Sequence, residues 1–240
     1  DARVIAELCR RGIAKPFRPP EGPFAALRVL SRHRESLVKR RSQLQNRLHH
    51  HLDVVFPEYL KHFHRVNSSA CLALLLQAPT PSEFLRADPK TLTQIALRAS
   101  KHQIGGERIE ALRAAAETSS GILEGLSAHR LAMRQQIRQL QAIDRDGREA
   151  EAPMNAQVAR VDYASHLLSI PRLGAVTVAI LLAEFGDLRG YRVNRQLIAM
   201  AGLDLIEQSS GDRKGRRTIS RRGRRYARQV LYLAVLRLGW

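Results

Sequence analysis

The sequence predicts an all-α protein, on three observations. No long stretch alternates apolar and polar residues in the manner of a half-buried strand. Leucines recur instead at the three-, four- and seven-residue spacings of a helix face. Prolines and glycines punctuate the periodic runs. The architecture expected is long coiled-coil helices with a small helical insert, followed by a helix-hairpin-helix-like C-terminal domain. Composition and texture divide the chain into residues 1–23, 24–157 and 158–240.

Residues 1–11 read as a short helix, with Ala2, Ile5, Ala6, Leu8 and Cys9 apolar among charges. Pro16, Pro19, Pro20 and Pro23 follow as a breaker-rich connection. A long helix is expected from Phe24 to Phe56. There Leu27, Leu30, Leu37, Leu44, Leu48, Leu52 and Val55 keep a heptad-like rhythm, with Arg28, Arg32, Arg34, Lys39, Arg40, Arg41 and Arg47 between them. Pro57 ends it. The stretch from Ser69 to Ala115 reads as several short helices punctuated by Pro79, Pro81 and Pro89, with Asp88 and Thr91 as caps and Gly105-Gly106 as a turn. A second long helix is expected from Gly106 to Arg148, broken near Gly121, in which Leu126, Met133, Ile137 and Leu140 recur at near-heptad spacing. Two long helices flanking an insert fit an antiparallel coiled-coil hairpin or a plain helical bundle, and the spacing serves both.

From Val158 the texture changes. Leu167-Leu168-Ser169-Ile170 meets Pro171-Arg172-Leu173-Gly174, and a helix from Val176 to Phe185 is stopped by Gly186. Helix, short glycine turn, helix is the outline of a phosphate-gripping hairpin, in which turn amides and a helix N-terminus hold a phosphate without reading bases. Ordinary packing of two helices has the same outline. Further on, a loop carries Gln208-Ser209-Ser210-Gly211, and Ser220 or a neighbour is placed to cap a last helix. On that helix Arg221, Arg224, Arg225 and Arg228 fall on one face, and Ala227, Val230, Leu231, Ala234 and Leu238 on another.

Charge gives the first functional constraint. The 240 residues hold 40 Lys and Arg against 22 Asp and Glu, a net charge of +18, which points to a polyanionic partner. The excess sits at the two ends: +8 in residues 1–66, +1 in residues 67–210 and +9 in residues 211–240. Nine basic residues of the second pole fall within Arg213–Arg228. Arginine forks match phosphate oxygens, so this block suits a nucleic-acid backbone. Hydrophobic residues at 44% can build a core, and aromatics at 5% argue against a reader that works by base stacking. No apolar run approaches the ~20 residues of a membrane span, and no basic-then-apolar leader opens the sequence. Cys9 and Cys71 are too few for a disulfide framework or a four-thiolate zinc site. A cytoplasmic location is the expectation. His49-His50-His51, His62 and His64 could ligate metal, although consecutive helical residues point around the helix and a solvated face accounts for them.

A serine beside a glycine among guanidiniums admits a chemical reading. Transesterification of a phosphodiester needs a hydroxyl nucleophile, and positive charge stabilises the transition state and the leaving oxygen. Ser-Ser-Gly also serves as a plain loop or cap.

These residues resemble the DEDD-type insertion-sequence transposases numbered one hundred and ten, related to the pilin-gene invertases and described as bridge-RNA-guided recombinases. The C-terminal likeness covers Ser169–Pro171, Gly174, Thr177, Leu181-Leu182-Ala183-Glu184 and Gly186-Asp187. It continues through Arg195-Gln196-Leu197, Ala201-Gly202-Leu203, Ser210-Gly211, Ile219-Ser220, Arg222-Gly223 and Arg228. The N-terminal likeness runs from Asp1-Ala2-Arg3 through Ile5-Ala6 and Gly12 into the arginine-rich helix. The resemblance implies that residues 1–23 are the end of a nuclease-like domain with its linker, and that residues 158–240 form a transposase domain. It implies a divalent metal, magnesium, held by four acidic residues of which Asp1 matches the last; the other three would precede residue 1, so a fragment of the enzyme is expected.

The resemblance also implies that Ser210, or its neighbour Ser209, attacks DNA covalently. Arg213, Lys214, Arg216, Arg217, Arg221, Arg222, Arg224, Arg225 and Arg228, with Gly174 and Thr177, would contact DNA. The partners it implies are DNA, a guide RNA and further copies of the chain through the coiled coil, in a bacterial, nucleoid-associated setting. The sequence departs from the pattern at Arg172, where glycine is usual, at Ala175, where proline is usual, and at Asp204, where proline is usual. The function expected is therefore DNA transposase or site-specific recombinase subunit. The alternative is a non-catalytic helical DNA- or RNA-binding module.

Overall fold

A computed structural model describes residues 2–13, 19–63, 65–122, 124–207 and 217–238. The protein is all-α, as its periodicity requires; among the described residues, strand is confined to two three-residue segments. The helices are α1 (Ala2–Arg10), α2 (Gly22–Val55), α3 (Ser69–Gln77), α4 (Pro81–Arg86), α5 (Pro89–Ser100), α6 (Gly106–Glu117) and α7 (Leu126–Glu149). They continue as α8 (Glu151–Val158), α9 (Ala164–Leu168), α10 (Ala175–Phe185), α11 (Asn194–Ala201) and α12 (Arg225–Leu238). Strands β1 (Leu205–Glu207) and β2 (Arg217–Ile219) lie between α11 and α12. The chain forms two compact units, residues 34–149 and residues 1–33 with 150–240. Packing draws this division, whereas composition and likeness drew the sequence boundaries at 24 and 158.

In the unit of residues 34–149, α2 buries Leu37, Leu44, Leu48, Leu52 and Val55, one stripe at seven-, four- and three-residue spacings. Helix α7 supplies the facing stripe, Met133, Ile137, Leu140 and Ile143. The two run antiparallel: Arg41 of α2 donates to Asp144 of α7 at 2.6 Å, and His51 meets His129 at 2.9 Å between Nδ1 atoms. Beyond Pro57 a 3₁₀ turn, Pro57–Lys61, brings Phe56, Tyr59 and Phe63 together, with Phe84 against Phe56. Their edge-to-face and stacked contacts form part of the core. Helix α3, apolar all round, runs through it.

Local chemistry punctuates the insert as the sequence indicated. Thr80 and Asp88 cap α4 and α5, each followed by proline at the first helical position. Thr91 is the residue that Asp88 caps, not a cap itself: it donates its N–H and hydroxyl to the Asp88 carboxylate. The long helix expected from Gly106 to Arg148 is two, α6 and α7, interrupted around Gly121. There the chain presses on the end of α2: Ile122 N–H donates to the Val54 carbonyl, Ser119 and Ser120 donate to Glu58, and a Cβ on Gly121 would collide with the Val55 carbonyl.

In the unit of residues 1–33 and 150–240, α10 is the centre. Val178 through Glu184 are all buried, a run possible only for a helix covered on every side. Leu27 of α2, Met154 and Val158 of α8, Ala164 of α9, and Tyr226 and Val230 of α12 cover it. Tyr163 ties the next turn in place, accepting from Leu188 N–H and donating to Asp187, while Arg189 lies over its ring. Helix α1 buries none of its residues: Val4, Ile5 and Leu8 are exposed, and Glu7 pairs with Arg10 and Arg11. No helix among the described residues is long and apolar enough to cross a membrane.

Candidate nucleic-acid interface

The basic C-terminal segment is organised by a hairpin that the sequence did not announce. Strands β1 and β2 pair antiparallel, with Leu205 opposite Ile219, Ile206 opposite Thr218 and Glu207 opposite Arg217. The β-branched residues Ile206, Thr218 and Ile219 were the available signal, but three-residue strands are too short for alternation to register. Residues 208–216 connect the two strands; Ser209, Ser210, Arg213, Lys214 and Arg216 therefore lie outside the described residues, as does Asp1.

The base of the hairpin is closely packed. Ser220 N–H donates to the Asp204 carbonyl at 2.7 Å and its hydroxyl to the Asp204 carboxylate. Ser220 thus closes the hairpin rather than capping α12, which starts five positions later. Asp204, where the family pattern has proline, supplies both acceptors. Arg221 N–H reaches the Gly202 carbonyl at 3.0 Å, and Arg224 N–H reaches the Met200 carbonyl at 2.7 Å, fastening the segment to the end of α11. Two glycines permit this approach. Gly202 ends α11 at φ 66°, and a Cβ there would lie 2.8 Å from Arg228 Nη1. A Cβ on Gly223 would overlap the Met200 carbonyl and stand 2.5 Å from Gly202 N. The motif glycines at 202 and 223 are thus halves of one backbone contact.

The single arginine stripe read from the sequence does not form. Helix α12 begins at Arg225, so Arg221 and Arg224 precede it, and Arg221 adopts φ 55°. Two of the arginines turn inward. Arg228 donates to the Ala201 carbonyl at 2.7 Å, and Arg224 approaches the buried Glu184 at 3.9 Å. Arg217 faces Glu207 across the strands at 3.5 Å but stays exposed. Arg221, Arg222 and Arg225 are exposed, and none forms a side-chain hydrogen bond or ion pair with another described residue. The apolar face is as expected at Ala227, Val230 and Ala234, which are buried, with Leu231 half-buried.

Around the other candidate, α9 and α10 flank a turn in which Arg172 takes φ 67°. A left-handed conformation is costly for a residue other than glycine. Gly174 is the exposed N-cap of α10, nothing stands within 4 Å of where its Cβ would be, and Thr177 lies half-buried in the first turn.

Metal and thiol candidates are quickly placed. No group of three or more His, Cys, Asp or Glu side chains among the described residues could hold a metal ion. His51 pairs with His129 instead, and burial followed by His129 holds its pKa below the usual 6.5. Burial pushes the Cys71 thiol up to about 12, which leaves it unreactive, and Cys9 is exposed.

Comparison with known proteins accounts for both ends of the chain. Residues 164–238 match the family model described as Transposase IS116/IS110/IS902 family. Residues 1–57 match a model described as Transposase, of the DEDD type of IS110 elements. The uncharacterized 44.8 kDa protein of insertion element IS116 from Streptomyces clavuligerus is 30% identical over 236 residues, 98% of this chain and 59% of that protein. The uncharacterized 42 kDa protein of insertion element IS900 from Mycobacterium paratuberculosis is 26% identical over 241 residues, again 98% of this chain and 59% of that protein. The transposase for insertion sequence element IS1328 from Yersinia enterocolitica is 31% identical over 83 residues, 35% of this chain and 25% of that protein. The chain thus spans 59% of the length of the first two relatives.

Proposed function

The chain carries two transposase domains of the IS116/IS110/IS902 family, and from that membership we propose that it acts in DNA transposition as a subunit of an insertion-sequence transposase and site-specific recombinase. The observation that carries this reading is the pair of family matches, one reaching α1 and α2 and the other the hairpin and α12.

DNA is the partner. The exposed Arg221, Arg222 and Arg225, with Arg217 and the basic residues Arg213, Lys214 and Arg216, neutralise backbone phosphates. Gly174 and Thr177 offer backbone amides at the start of α10 to another phosphate. Arg228 acts indirectly, by fastening the segment to the end of α11. Ser210, with Ser209 as the other contender, is the nucleophile. Its Oγ bonds to phosphorus, the bond from phosphorus to a deoxyribose oxygen breaks, and the serine proton ends on that oxygen. Guanidiniums around the phosphate stabilise the charge that builds up between the two states. The exposed basic residues of α2, among them Lys39, Arg40 and Arg47, are the surface offered to a guide RNA, and the antiparallel pair of α2 and α7 is the element through which copies associate. The cytoplasm, at the nucleoid, is where such a protein meets its DNA.

Membership of the DEDD type implies that magnesium serves the family's nuclease-like domain, with Asp1 as one ligand. The described residues do not fit such an ion, since they bring no three ligands together.

Strand transfer by the element protein that contains this chain tests the assignment. Ser210→Ala abolishes joining and Ser209→Ala retains it; joining that survives Ser210→Ala excludes Ser210. DNA binding with no covalent adduct from either serine would favour the non-catalytic binding module. For the interface, each of Arg221→Ala, Arg222→Ala and Arg225→Ala lowers the slope of log K against log salt by about 1.

A further inference from the structure

The end of α10 buries a carboxylate among guanidiniums. Glu184 is 2% exposed. Arg32 Nη2 lies 2.9 Å from its Oε1 and Arg224 Nη1 lies 3.9 Å from its Oε2, yet neither oxygen accepts a well-aligned hydrogen bond. Glu184 therefore holds these arginines by charge rather than by directed bonds. Arg28, one turn before Arg32 on α2, donates to the Ala183 carbonyl at 3.3 Å. Burial, then Arg224, lowers its proton affinity, with Arg32 adding to the repulsion. Arg28 and Arg224 thus bring two half-buried guanidiniums to a buried carboxylate that also attracts Arg32, and positive charge held at half-buried positions is costly without an anion.

That charge lines a cleft. The opening is about 800 Å³ and is bounded by Phe24, Arg28, Glu184, Phe185, Tyr191 and Arg224. Its size lies within the ~300–1,000 Å³ of small-ligand sites. The acidic groups nearby do not cancel the excess: Asp187 is occupied by Arg189 and Tyr163, and Glu21 is exposed. The lining also holds aromatic rings. Phe24, Phe185 and Tyr191 are three of the chain's twelve Phe, Tyr and Trp residues, and Tyr191 is fixed by donating to the Phe185 carbonyl at 2.7 Å. In a protein so poor in aromatics, three rings beside two arginines is a concentrated feature.

We propose that this cleft binds a nucleoside phosphate as one unpaired nucleotide of a bound strand, its phosphate between Arg28 and Arg224 and its base against Phe24 and Tyr191. The site is separate from the exposed arginines around the hairpin. It rests on the DNA-binding reading only for the source of the nucleotide. Glu184 is its positioning residue, gathering the arginines without touching the ligand.

The test compares a fluorescent duplex carrying one unpaired dT with the same duplex fully paired, at ~0.15 M salt, alongside calorimetric titration of free dTMP. The chain should bind the bulged duplex at least about fivefold more tightly, the scale of one base stacked on an aromatic side chain. Arg28→Gln, which keeps a donor for the Ala183 carbonyl, and Phe24→Leu should each erase the preference while retaining a wild-type circular dichroism spectrum. Equal wild-type affinity for the two duplexes overturns the cleft proposal and leaves DNA binding standing, as does a preference that persists in both variants. Failure to bind either duplex overturns the DNA-binding reading. In that case, dTMP binding lost in Arg28→Gln supports a site for free nucleotide, and absent dTMP binding overturns the cleft as well.

Discussion

The two compact units solve the same problem, packing helices, with different amounts of charge and different kinds of contact. Residues 34–149 carry 18 basic and 12 acidic side chains, a net charge of +6, around a core of leucines and stacked aromatic rings. Residues 1–33 with 150–240 carry 22 basic and 10 acidic, a net charge of +12, around a core built on one apolar helix. The first unit is held by side-chain volume. The second is held at its C-terminal end by backbone contacts, by two glycines and by arginines donating inward. A region rich in exposed arginines does not cover itself with large apolar side chains, so it gains order from hydrogen-bonded backbone instead.

The sharpest way to break that contrast is to remove volume where volume matters. Phe84→Ala deletes a fully buried ring packed on Phe56 and should cost about 3–5 kcal/mol in urea unfolding. A loss under about 1 kcal/mol would mean that the aromatic cluster does not hold the unit of residues 34–149. Next in size, Gly223→Ala adds one methyl group against the Met200 carbonyl and should cost about 1–3 kcal/mol. It should also weaken DNA binding, because the exposed arginines on either side lose their fixed spacing. An alanine that leaves both stability and binding intact would refute the backbone lock.

A smaller effect has the opposite sign. Arg172→Gly relieves a left-handed residue and should stabilise the protein by about 1 kcal/mol, read as a raised denaturation midpoint. The smallest effect separates the units by pH. His51 has its pKa lowered in the folded state, so the unfolded chain binds the proton more readily. Its contribution is complete above the ordinary value of 6.5 and is lost as pH falls below it. Thermal midpoints taken from pH 7.5 down to pH 5 should fall, and His51→Gln should flatten the part of that fall that the burial of His51 and its neighbours His129 and His50 cause. An unchanged profile in His51→Gln would remove the His51–His129 pair from the account.

Much of the fold is legible in the residues alone. The leucine rhythm from Leu27 to Val55 specifies α2 within two residues at each end, and Asp88 before Pro89 specifies the start of α5, because caps and stripes are local physics. The break near Gly121 is legible too, but not its cause, which is a carbonyl at Val55, sixty-six positions away. The candidate site is legible as composition rather than as geometry. A four-residue recurrence places Arg221, Arg224, Arg225 and Arg228 on one face only on the assumption that all four are helical, and a hairpin ahead of α12 removes that assumption.

By itself the sequence determined the helical class, the positions of α1, α2 and α10, the concentration of charge at the ends and the family likeness. Each of these depends on neighbours within a few turns or on composition. Tertiary structure alone decided which arginines stay in solvent and which are drawn inward, and it alone joined Gly202 to Gly223 and gathered Arg28, Arg32 and Arg224 around Glu184. Those pairings depend on which distant carbonyls and carboxylates are buried nearby, and burial is a property of the packed chain.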